Sequence, residues 1–537
     1  MEIWDLYDKD RNKLDKKVQR GERLEDNEYH LVVNAWIRNS KGEFLITQRA
    51  PNKSFPYMWE CTGGSALMGE TSLEAAAREI KEELGIEIDK STGELVGSTL
   101  RYYSGCPDIL DVWVFEDDTS IDNVVTQEEE VCNVMWASPE KIREMYVEKK
   151  FEANPFFENA LNSLNKEDVY YIGFNANNAI CNDYFFAGSI TLYPTKEKGN
   201  IYFSDTLLND TKSENFMAKY KKYIYKTAKG IQEKNPNAKF ICFNAKIRRL
   251  CEDFSDINIV KENDEGIVDF LNDKFKTRDF IKDIVPLLEY KEISGEELNY
   301  NFLKNEFAVD KFVVQAAFGS GGSSTYFIDS QEKIDEIIDK KLNYNVSKYV
   351  KNIPLNITMI VGEYNILSLP ISTQLISIID DKFKYVGGDF VHANTLDKSI
   401  LDKVLEYGNS IAEKVKGLGY RGILGIDFVL CEDGKIYFME INPRFQASTF
   451  VISRYLKDYS GTNVAELHYN ALTGLVVGPI KVPEIKQSFV NCNTEQTFSM
   501  LQEDEIVDKG YFEPNTSSVY RKIFNSSVFE CELFEKI

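Results

Sequence analysis

Short alternations of apolar and polar residues dominate the first third of the chain, and one stretch with a helical period interrupts them. The alternation predicts β-strands at residues 31–36, 44–47 and 112–115, and the 3.6-residue period predicts a helix at residues 73–84. A polar stretch at residues 162–168 is typical of a linker. These elements together predict one α/β domain that ends at this linker.

The rest of the chain changes its pattern twice. A strand at residues 169–174, an amphipathic helix at 216–231 and a strand at 240–243 predict a small α/β unit. Helices then alternate with antiparallel-type strands up to residue 478. A chain of 537 residues is expected to hold several domains, at roughly 150 residues per domain. We predict four segments: domains at 1–165, 166–265 and 266–480, and an extension of unknown role at 481–537.

Composition narrows the class of protein. Apolar residues make up 43% of the chain and charged residues 28%, which is typical of soluble globular proteins. The net charge of −23 argues against nucleic acid as a partner, because no basic stripe offsets it. No apolar run approaches the roughly 20 residues that span a bilayer, and residues 1–10 are too charged for a signal peptide. We therefore expect a cytoplasmic protein without a membrane partner, and the sequence leaves a homodimer open.

Cysteine and histidine are poor candidates for the chemistry. The nine cysteines include no CxxC pair, which indicates free thiols in a reducing compartment rather than a zinc site. Only three histidines occur, His30, His392 and His468. We expect the chemistry to rest on carboxylates, Mg²⁺ and backbone amides.

The predicted helix at residues 73–84 has its own start and stop signals. Thr71 and Glu74 have the spacing of a capping box, and Gly85 stands where a C-cap glycine belongs. Apolar residues at helical spacing form one stripe that can pack on a sheet. The helix is therefore predicted to be well defined at both ends.

The other face of this helix is acidic. Glu79, Glu82 and Glu83 are spaced i, i+3, i+4, so their carboxylates converge. Arg78 can neutralise Glu82, and the remaining charge favours a hard cation with oxygen ligands, Mg²⁺ or Mn²⁺. The alternative is an exposed acidic helix that binds nothing.

The full spacing from Gly64 through Glu70 to Ile86 fits the Nudix box, GX5EX7REUXEEXGU, at every position. Residues 28–160 thus resemble a Nudix hydrolase, a family with an α/β/α sandwich fold. The resemblance implies that water attacks a nucleoside diphosphate or another diphosphate-containing metabolite with the help of the metal. It also implies that one of the acids at 128–130, or Glu83 itself, is the base. The metal ligands would be Glu79, Glu82 and Glu83, with Glu82 and Glu83 as the catalytic residues.

The stretch at residues 30–36 also resembles the isopentenyl diphosphate isomerase branch of Nudix proteins. That branch places a catalytic cysteine directly before the box, where this chain has Gly63. Cys61 is displaced by two residues, and Ser65 stands at the position of the isomerase's second metal-binding histidine. These departures favour a hydrolase.

A second acidic pair lies in a predicted β-hairpin near the carboxy terminus. Asp433 and Gly434 form a two-residue turn signal between apolar runs, and a turn centred on them places Asp427 across from Glu440. Asn442 is two residues further along the strand and shares the face of Glu440. Facing carboxylates destabilise a sheet unless a cation joins them, so the pair favours a metal site. The alternative is an exposed hairpin with incidental acids, although neighbouring apolar residues on both faces make full exposure unfavourable.

A glycine- and serine-rich turn lies upstream of the hairpin. A strand at residues 311–315 leads into it and a strand at 325–328 follows it. The amides of such a turn can fold over phosphates, although many similar turns are only loops. The turn contains Gly319, Ser320, Gly321, Gly322 and Ser323.

Together with the hairpin, this turn makes residues 266–475 resemble the ATP-grasp family, which holds ATP between two antiparallel sheets. Residues 168–265 match the position of that family's preceding α/β domain. The resemblance implies Mg²⁺ ligands at Asp427, Glu440 and Asn442, and a cation beside the transferred phosphate at Arg444. It implies ATP contacts at Lys274, at Gln315, through the Gly/Ser turn, and at the adenine-binding hinge of Lys348, Tyr349 and Val350.

Two positions depart from the family pattern. Many members have lysine at the position of Gln315, to hold the α-phosphate, and many have an acid at the position of Lys348. The fold class expected is α/β and α+β multidomain: a Nudix sandwich, an α/β unit and an ATP-grasp domain. The expected function is an ATP-dependent carboxylate–amine ligase with a diphosphate hydrolase. A small-molecule kinase, or a ligase with a non-catalytic Nudix sensing module, remains an alternative.

Overall fold

The computed structural model describes residues 2–102, 105–162, 168–173, 187–191, 200–202, 214–242, 245–318, 324–379, 382–478, 480, 484–492 and 497–501. These residues fall into two compact units. The first comprises Met1–Val260, Gly362–Asn365 and Ser453–Pro483, and the second comprises Lys261–Val361, Ile366–Ile452 and Glu484–Ile537. The predicted linker lies mostly outside the described residues, and the four predicted segments remain predictions.

The first unit begins with a mixed sheet that packs against helices. β3 and β8 are its parallel centre, and the order of the main path is β5-β4-β3-β8-β7, with β6 on β3 and β9 on β4. The three strands and the helix expected from the hydrophobic pattern are confirmed as β3, β4, β8 and α1. The elements are β1 (Ile3–Tyr7), β2 (Lys13–Gln19), β3 (His30–Arg38), β4 (Phe44–Arg49), β5 (Trp59–Glu60), β6 (Gly63–Ser65), α1 (Ser72–Leu84), β7 (Glu94–Arg101), β8 (Asp108–Glu116), β9 (Val131–Ala137), α2 (Pro139–Val147) and α3 (Phe157–Asn162).

A separate parallel sheet follows in the same unit, with the order β12-β11-β10-β13. Its core includes the buried Ile172, Ile190 and Phe240, against which Tyr220 and Ile224 of the long helix pack. The amphipathic helix expected at 216–231 is confirmed within α4. The elements are β10 (Val169–Gly173), β11 (Gly188–Thr191), β12 (Asn200–Tyr202), α4 (Glu214–Lys234), β13 (Lys239–Ile241) and α5 (Ala245–Cys251).

The second unit is built on a long, largely antiparallel sheet in the order β14-β17-β15-β16-β21-β20-β18-β22-β23. Its central core joins β18, β22 and β23 to α11. The elements that follow α5 in the chain are α6 (Glu265–Asn272), α7 (Lys274–Ile281), β14 (Tyr290–Ser294), α8 (Tyr300–Phe307), β15 (Phe312–Ala316), β16 (Thr325–Ile328), α9 (Gln331–Ile337), β17 (Asn343–Lys348), β18 (Asn352–Val361), β19 (Ile366–Ser368), β20 (Ser372–Ile379), β21 (Lys382–Asp389), α10 (Phe390–Asn394), α11 (Lys398–Gly417), β22 (Gly422–Cys431), β23 (Ile436–Asn442), α12 (Thr449–Ser460), α13 (Val464–Leu472), β24 (Ser488–Cys492) and β25 (Thr497–Leu501).

A late segment of the chain completes the core of the first unit. Val476 is fully buried in the same cluster as Trp36 and residues of α3. Its N–H donates to Glu158 Oε1 at 2.7 Å, and the other oxygen of Glu158 accepts from Arg143 Nη2 at 2.8 Å. A buried ion pair of this kind is costly to break, because the remaining charge has no water around it. Residues far apart in the chain therefore form one packed unit.

The hairpin β22–β23 faces Asp427 with Glu440, as the turn signal predicted. The register nearer the turn is shifted by one residue, and a bulge at Met439 restores the predicted pairing. A strict period of two along the strand would place Phe438 on the face of Asp427 and Glu440. The bulge turns Phe438 to the other face, where it packs in the core with Phe428 and Ile441.

No helix among the described residues is both long enough and apolar enough to cross a membrane.

Candidate functional sites

The helix α1 holds its acids in place through its caps. Thr71 accepts a hydrogen bond from the Glu74 N–H, and the Glu74 carboxylate accepts one from the Thr71 N–H, so the predicted capping box is confirmed. Gly85 ends the helix with φ of 69°, a left-handed conformation that suits glycine. The apolar stripe packs on the sheet, which leaves the acidic face of α1 over β6.

Arg78 organises the box glutamates. Its Nη1 donates to Glu79 at 2.9 Å and to Glu82 at 2.8 Å, and its Nε donates to Glu70 at 2.8 Å. Its Nη2 donates to the Ser65 carbonyl at 3.0 Å, so it also ties α1 to β6. Glu79 is largely buried and Glu82 is half exposed. One cation thus fixes three carboxylates whose charges would otherwise repel.

Glu83 has the largest pKa shift of the acids in this cluster. Burial raises its pKa to about 8, and the charges of Glu79, Glu60 and Glu130 add to the increase, while Lys53 opposes it. Glu130 is therefore the acid of the stretch 128–130 that faces Glu83. The pKa of Glu60 is raised as well, first by burial. A site of this charge favours a cation.

Glu60 is a site residue that no local sequence pattern indicates. It lies outside the Nudix box, in the two-residue strand β5, and reaches the cluster only because β5 pairs with β4 through Thr47 and Glu60. Arg49 contacts its carboxylate. Glu130 is placed by the preceding segment, whose N–H groups at Val125 and Gln127 donate to the last carbonyls of α1. Only this folding of the backbone brings Glu60 and Glu130 near Glu83.

As the side chains lie, no group of three histidine, cysteine, aspartate or glutamate residues in the described part of the chain is arranged to hold a metal ion. The salt bridges account for this, because Arg78, Arg49 and Lys53 each contact carboxylates of the cluster. The donor chemistry and the excess negative charge still fit a divalent cation with oxygen ligands. Metal binding would require these cations to release the carboxylates.

Gly64 leaves the space that Glu79 occupies. A Cβ built on Gly64 would lie 2.3 Å from Glu79 Oε1, and the φ of Gly64 is not in the left-handed region. We expect Gly64→Ala to lower diphosphate hydrolysis by at least about tenfold, because the displaced carboxylate loses its geometry. The melting temperature should barely change, since a flexible side chain can move aside.

The hydrolysis rate and a thermal melt of the full-length chain check this prediction. The control is Gly230→Ala, because a Cβ at Gly230 would meet nothing within 4 Å. Wild-type hydrolysis in Gly64→Ala would contradict the placement of Glu79 in the site.

In the second unit, Asp427 is buried among neutral amides. Its Oδ1 accepts from Asn356 Nδ2 at 2.6 Å and from Gln374 Nε2 at 3.1 Å, and its Oδ2 accepts from Asn442 Nδ2 at 3.0 Å. Burial and the facing Glu440 raise the pKa of Asp427 to about 7. Gly425 is needed nearby, because a Cβ there would lie 2.0 Å from Gln446 Oε1. Asn356, Gln374 and Gln446 were missed in the sequence, since two different strands and a loop supply them.

Glu440 and Asn442 connect the Asp427 carboxylate to two cations, which are Lys274 and Arg444. Lys274 Nζ lies 3.1 Å from Glu440 Oε2 and is almost fully buried. Burial raises the pKa of Glu440, but Lys274, Asn442 and Arg444 together lower it below its ordinary value. Arg444 Nη2 donates to Asn442 Oδ1 at 2.8 Å. The predicted metal ligands Asp427, Glu440 and Asn442, the predicted cation Arg444 and the predicted ATP contact Lys274 thus form one connected cluster.

Gln315 and the three residues of the predicted hinge make contacts of their own. Gln315 contacts Arg278 of α7, which the sequence analysis did not single out. Lys348 ends β17, the Tyr349 ring packs near Phe327 and Phe383, and the Tyr349 N–H donates to the Lys311 carbonyl at 2.9 Å. The Val350 carbonyl accepts from Asn352 Nδ2 at 2.8 Å. The turn residues Gly319, Ser320, Gly321, Gly322 and Ser323 lie outside the described residues.

Known proteins resemble the chain in two separate regions. Residues 28–159 match the NUDIX domain and residues 271–448 match the ATP-grasp domain. An uncharacterized Nudix hydrolase of Listeria monocytogenes serovar 1/2a is 34% identical over 173 residues, which are 32% of this chain and 100% of that protein. One from Listeria innocua serovar 6a is 40% identical over 144 residues, 26% of this chain and 83% of that protein.

The arginine-specific large chain of carbamoyl phosphate synthase from Geobacillus stearothermophilus is 23% identical over 236 residues, 41% of this chain and 21% of that protein. The chain belongs to the Nudix family, and an ATP-grasp domain follows its Nudix domain. Both are families of enzymes.

Proposed function

We propose that the ATP-grasp part of the chain joins a carboxylate to an amine while ATP is cleaved to ADP and phosphate. The observation that carries the proposal is the facing pair of the buried Asp427 and the partly buried Glu440, linked by Asn442 and contacted by Lys274. Two carboxylates and an amide supply the oxygen ligands that Mg²⁺ prefers when it also binds nucleotide phosphates. Bound Mg²⁺ would neutralise charge on the phosphates.

The reaction divides into two transfers. A substrate carboxylate oxygen bonds to the γ-phosphorus as the bond to the β-phosphate oxygen breaks, which gives an acyl phosphate and ADP. The amine nitrogen then bonds to the acyl carbon, phosphate leaves, and the nitrogen loses a proton to give an amide. Arg444 offers a planar cation to the phosphoryl group in transfer, and Lys274 keeps Glu440 ionised.

The test uses the full-length chain with Mg-ATP and a panel of amino acids as carboxylates and amines. ADP and phosphate should appear together, and only when both substrates are present. A stable phosphorylated product from one substrate would favour the kinase alternative. AMP and pyrophosphate in place of ADP would exclude an acyl phosphate ligase.

A second activity is supported by the cluster at α1. We propose that the Nudix domain hydrolyses a nucleoside or prenyl diphosphate compound with Mg²⁺ or Mn²⁺. A water oxygen bonds to one phosphorus, the bridging bond breaks, and Glu83 or Glu130 accepts the proton. Burial raises the pKa of Cys61 well above its ordinary range, so its thiol stays protonated, which supports hydrolysis over cysteine-dependent isomerisation.

The hydrolase is tested by incubating the chain with a panel of nucleoside and prenyl diphosphate compounds and either metal. Monophosphate products support hydrolysis. Tight binding without turnover would favour the sensing module.

A further inference from the structure

Helix α7 carries two buried cations that are one turn apart, Lys274 and Arg278. Lys274 contacts Glu440 of the acidic cluster. Arg278 is 8% exposed and donates from Nη2 to Gln315 Oε1 at 2.9 Å. The Lys274 N–H donates to the Ala317 carbonyl at 3.1 Å, which holds the start of α7 against the end of β15. The fold thus brings the guanidinium onto the face of the sheet that carries Gln315.

Arg278 is only partly satisfied there. Its Nη1 is buried and has no hydrogen-bond partner among the described residues, and its guanidinium carbon lies 5.5 Å from the centroid of the Tyr290 ring. A buried donor on a charged group is costly to leave without an acceptor. We therefore expect Arg278 Nη1 to donate to an acceptor from outside the described part of the fold.

Two neutral side chains near Gln315 also have buried polar atoms without a hydrogen-bond partner among the described residues. Asn345 is 3% exposed and lies directly across from Gln315 in the β15–β17 pairing, yet neither Oδ1 nor Nδ2 has a partner within the described ranges. The Ser324 Oγ is also buried and unpartnered there. The apolar core of this part of the sheet lies on the opposite face, with Phe312, Val314, Tyr344 and Val346. Packing within the core therefore does not account for these polar groups.

We infer that Arg278 is the cation that holds a phosphate of the bound nucleoside triphosphate. This inference rests on the proposed ATP-dependent ligase. Arg278 supplies from α7 the charge that a lysine supplies from the strand in many ATP-grasp proteins, whereas this chain has Gln315 in the strand. Gln315 is a positioning residue, because its Oε1 accepts from Arg278 while its Nε2 donates to Thr325 Oγ1 at 3.2 Å.

The experiment measures binding to the full-length chain by calorimetry in Mg²⁺, with a non-hydrolysable ATP analogue and with adenosine. Arg278→Met should weaken the binding of the analogue by about 10- to 100-fold, because a charged hydrogen bond is lost. Adenosine should bind almost as before, since it has no phosphate. Arg278→Lys should lie between Arg278→Met and the wild type, because it keeps the charge without the planar fork.

A rescue variant separates a phosphate contact from a structural role. Arg278→Met combined with Gln315→Lys should recover most of the affinity for the analogue, because the charge returns from the strand. The matched control is Lys276→Met, which removes an exposed cation from the same helix. A thermal melt of each variant checks that it is folded.

The outcomes are distinct. If the wild type binds the analogue and Arg278→Met binds it as tightly as Lys276→Met does, the inference is wrong and the proposed ligase stands. An equal loss of affinity for the analogue and adenosine, without rescue, assigns Arg278 a structural role and also overturns the inference. If the wild type binds neither ligand, the proposed function falls and the inference falls with it.

Discussion

Glu440→Gln should lower ADP release by at least about 100-fold, because it removes a charged oxygen ligand from the metal and phosphate end of the site. The fold should survive the change. The substitution relieves repulsion with Asp427 but leaves the buried Lys274 without a charged partner, and these two effects oppose each other. Asn442→Ala should have a similar effect on ADP release, since Asn442 links both carboxylates to Arg444.

The measurement is ADP formation by the full-length chain with Mg-ATP and the substrates found in the panel, with a thermal melt alongside. Glu432→Gln is the matched control, because it makes the same change at an exposed position of the same hairpin. ADP release by Glu440→Gln at the rate of this control would remove Glu440 from the active site.

Glu83→Gln should lower diphosphate hydrolysis by about 10²- to 10⁴-fold, the range associated with loss of a general base. Thermal stability should not decrease, and it should rise if repulsion is the larger effect, because Glu83 is buried beside Glu79, Glu60 and Glu130. A large loss of activity without loss of stability is the mark of a residue kept for chemistry at a cost in folding energy. Glu82→Gln should also lower the rate, as expected of a ligand in the box.

The assay follows monophosphate release from the best diphosphate compound found in the panel. Glu87→Gln serves as the control, because Glu87 lies just beyond the same helix and is largely exposed. Full hydrolysis by Glu83→Gln would contradict the assignment of a catalytic role to this residue.

Several features of both candidate sites could be predicted from the sequence because they depend on neighbours within a few residues. The capping box at Thr71, the end of α1 at Gly85 and the line of acids between them follow from helical spacing alone. The pairing of Asp427 with Glu440 was predicted from a turn signal and a period of two, and it holds because the bulge at Met439 offsets the one-residue shift at the turn. The roles of these residues, by contrast, came from family resemblance and remain proposals.

Long-range neighbours could not be predicted in this way. Glu60 reaches Glu83 only through the pairing of β5 with β4, and Arg278 reaches Gln315 only because α7 packs near the end of β15. Val476 lies more than 300 positions from Glu158 in the chain, yet its N–H donates to that carboxylate. Neither hydrophobic period nor cap spacing contains information about which distant strands become neighbours.

The sequence alone determined the elements and the chemistry that local spacing can encode, namely the capped acidic helix and the acidic hairpin. The tertiary structure decided which further groups surround each acid, and therefore the charge state of that acid. Burial and neighbouring acids raise the pKa values of Glu83 and Asp427, whereas neighbouring cations and an amide lower the pKa of Glu440. It also decided, through the bulge at Met439, that Phe438 belongs to the core rather than to the face of Asp427. A single inserted residue reverses the face of every strand residue beyond it, and no hydrophobic period anticipates such a bulge.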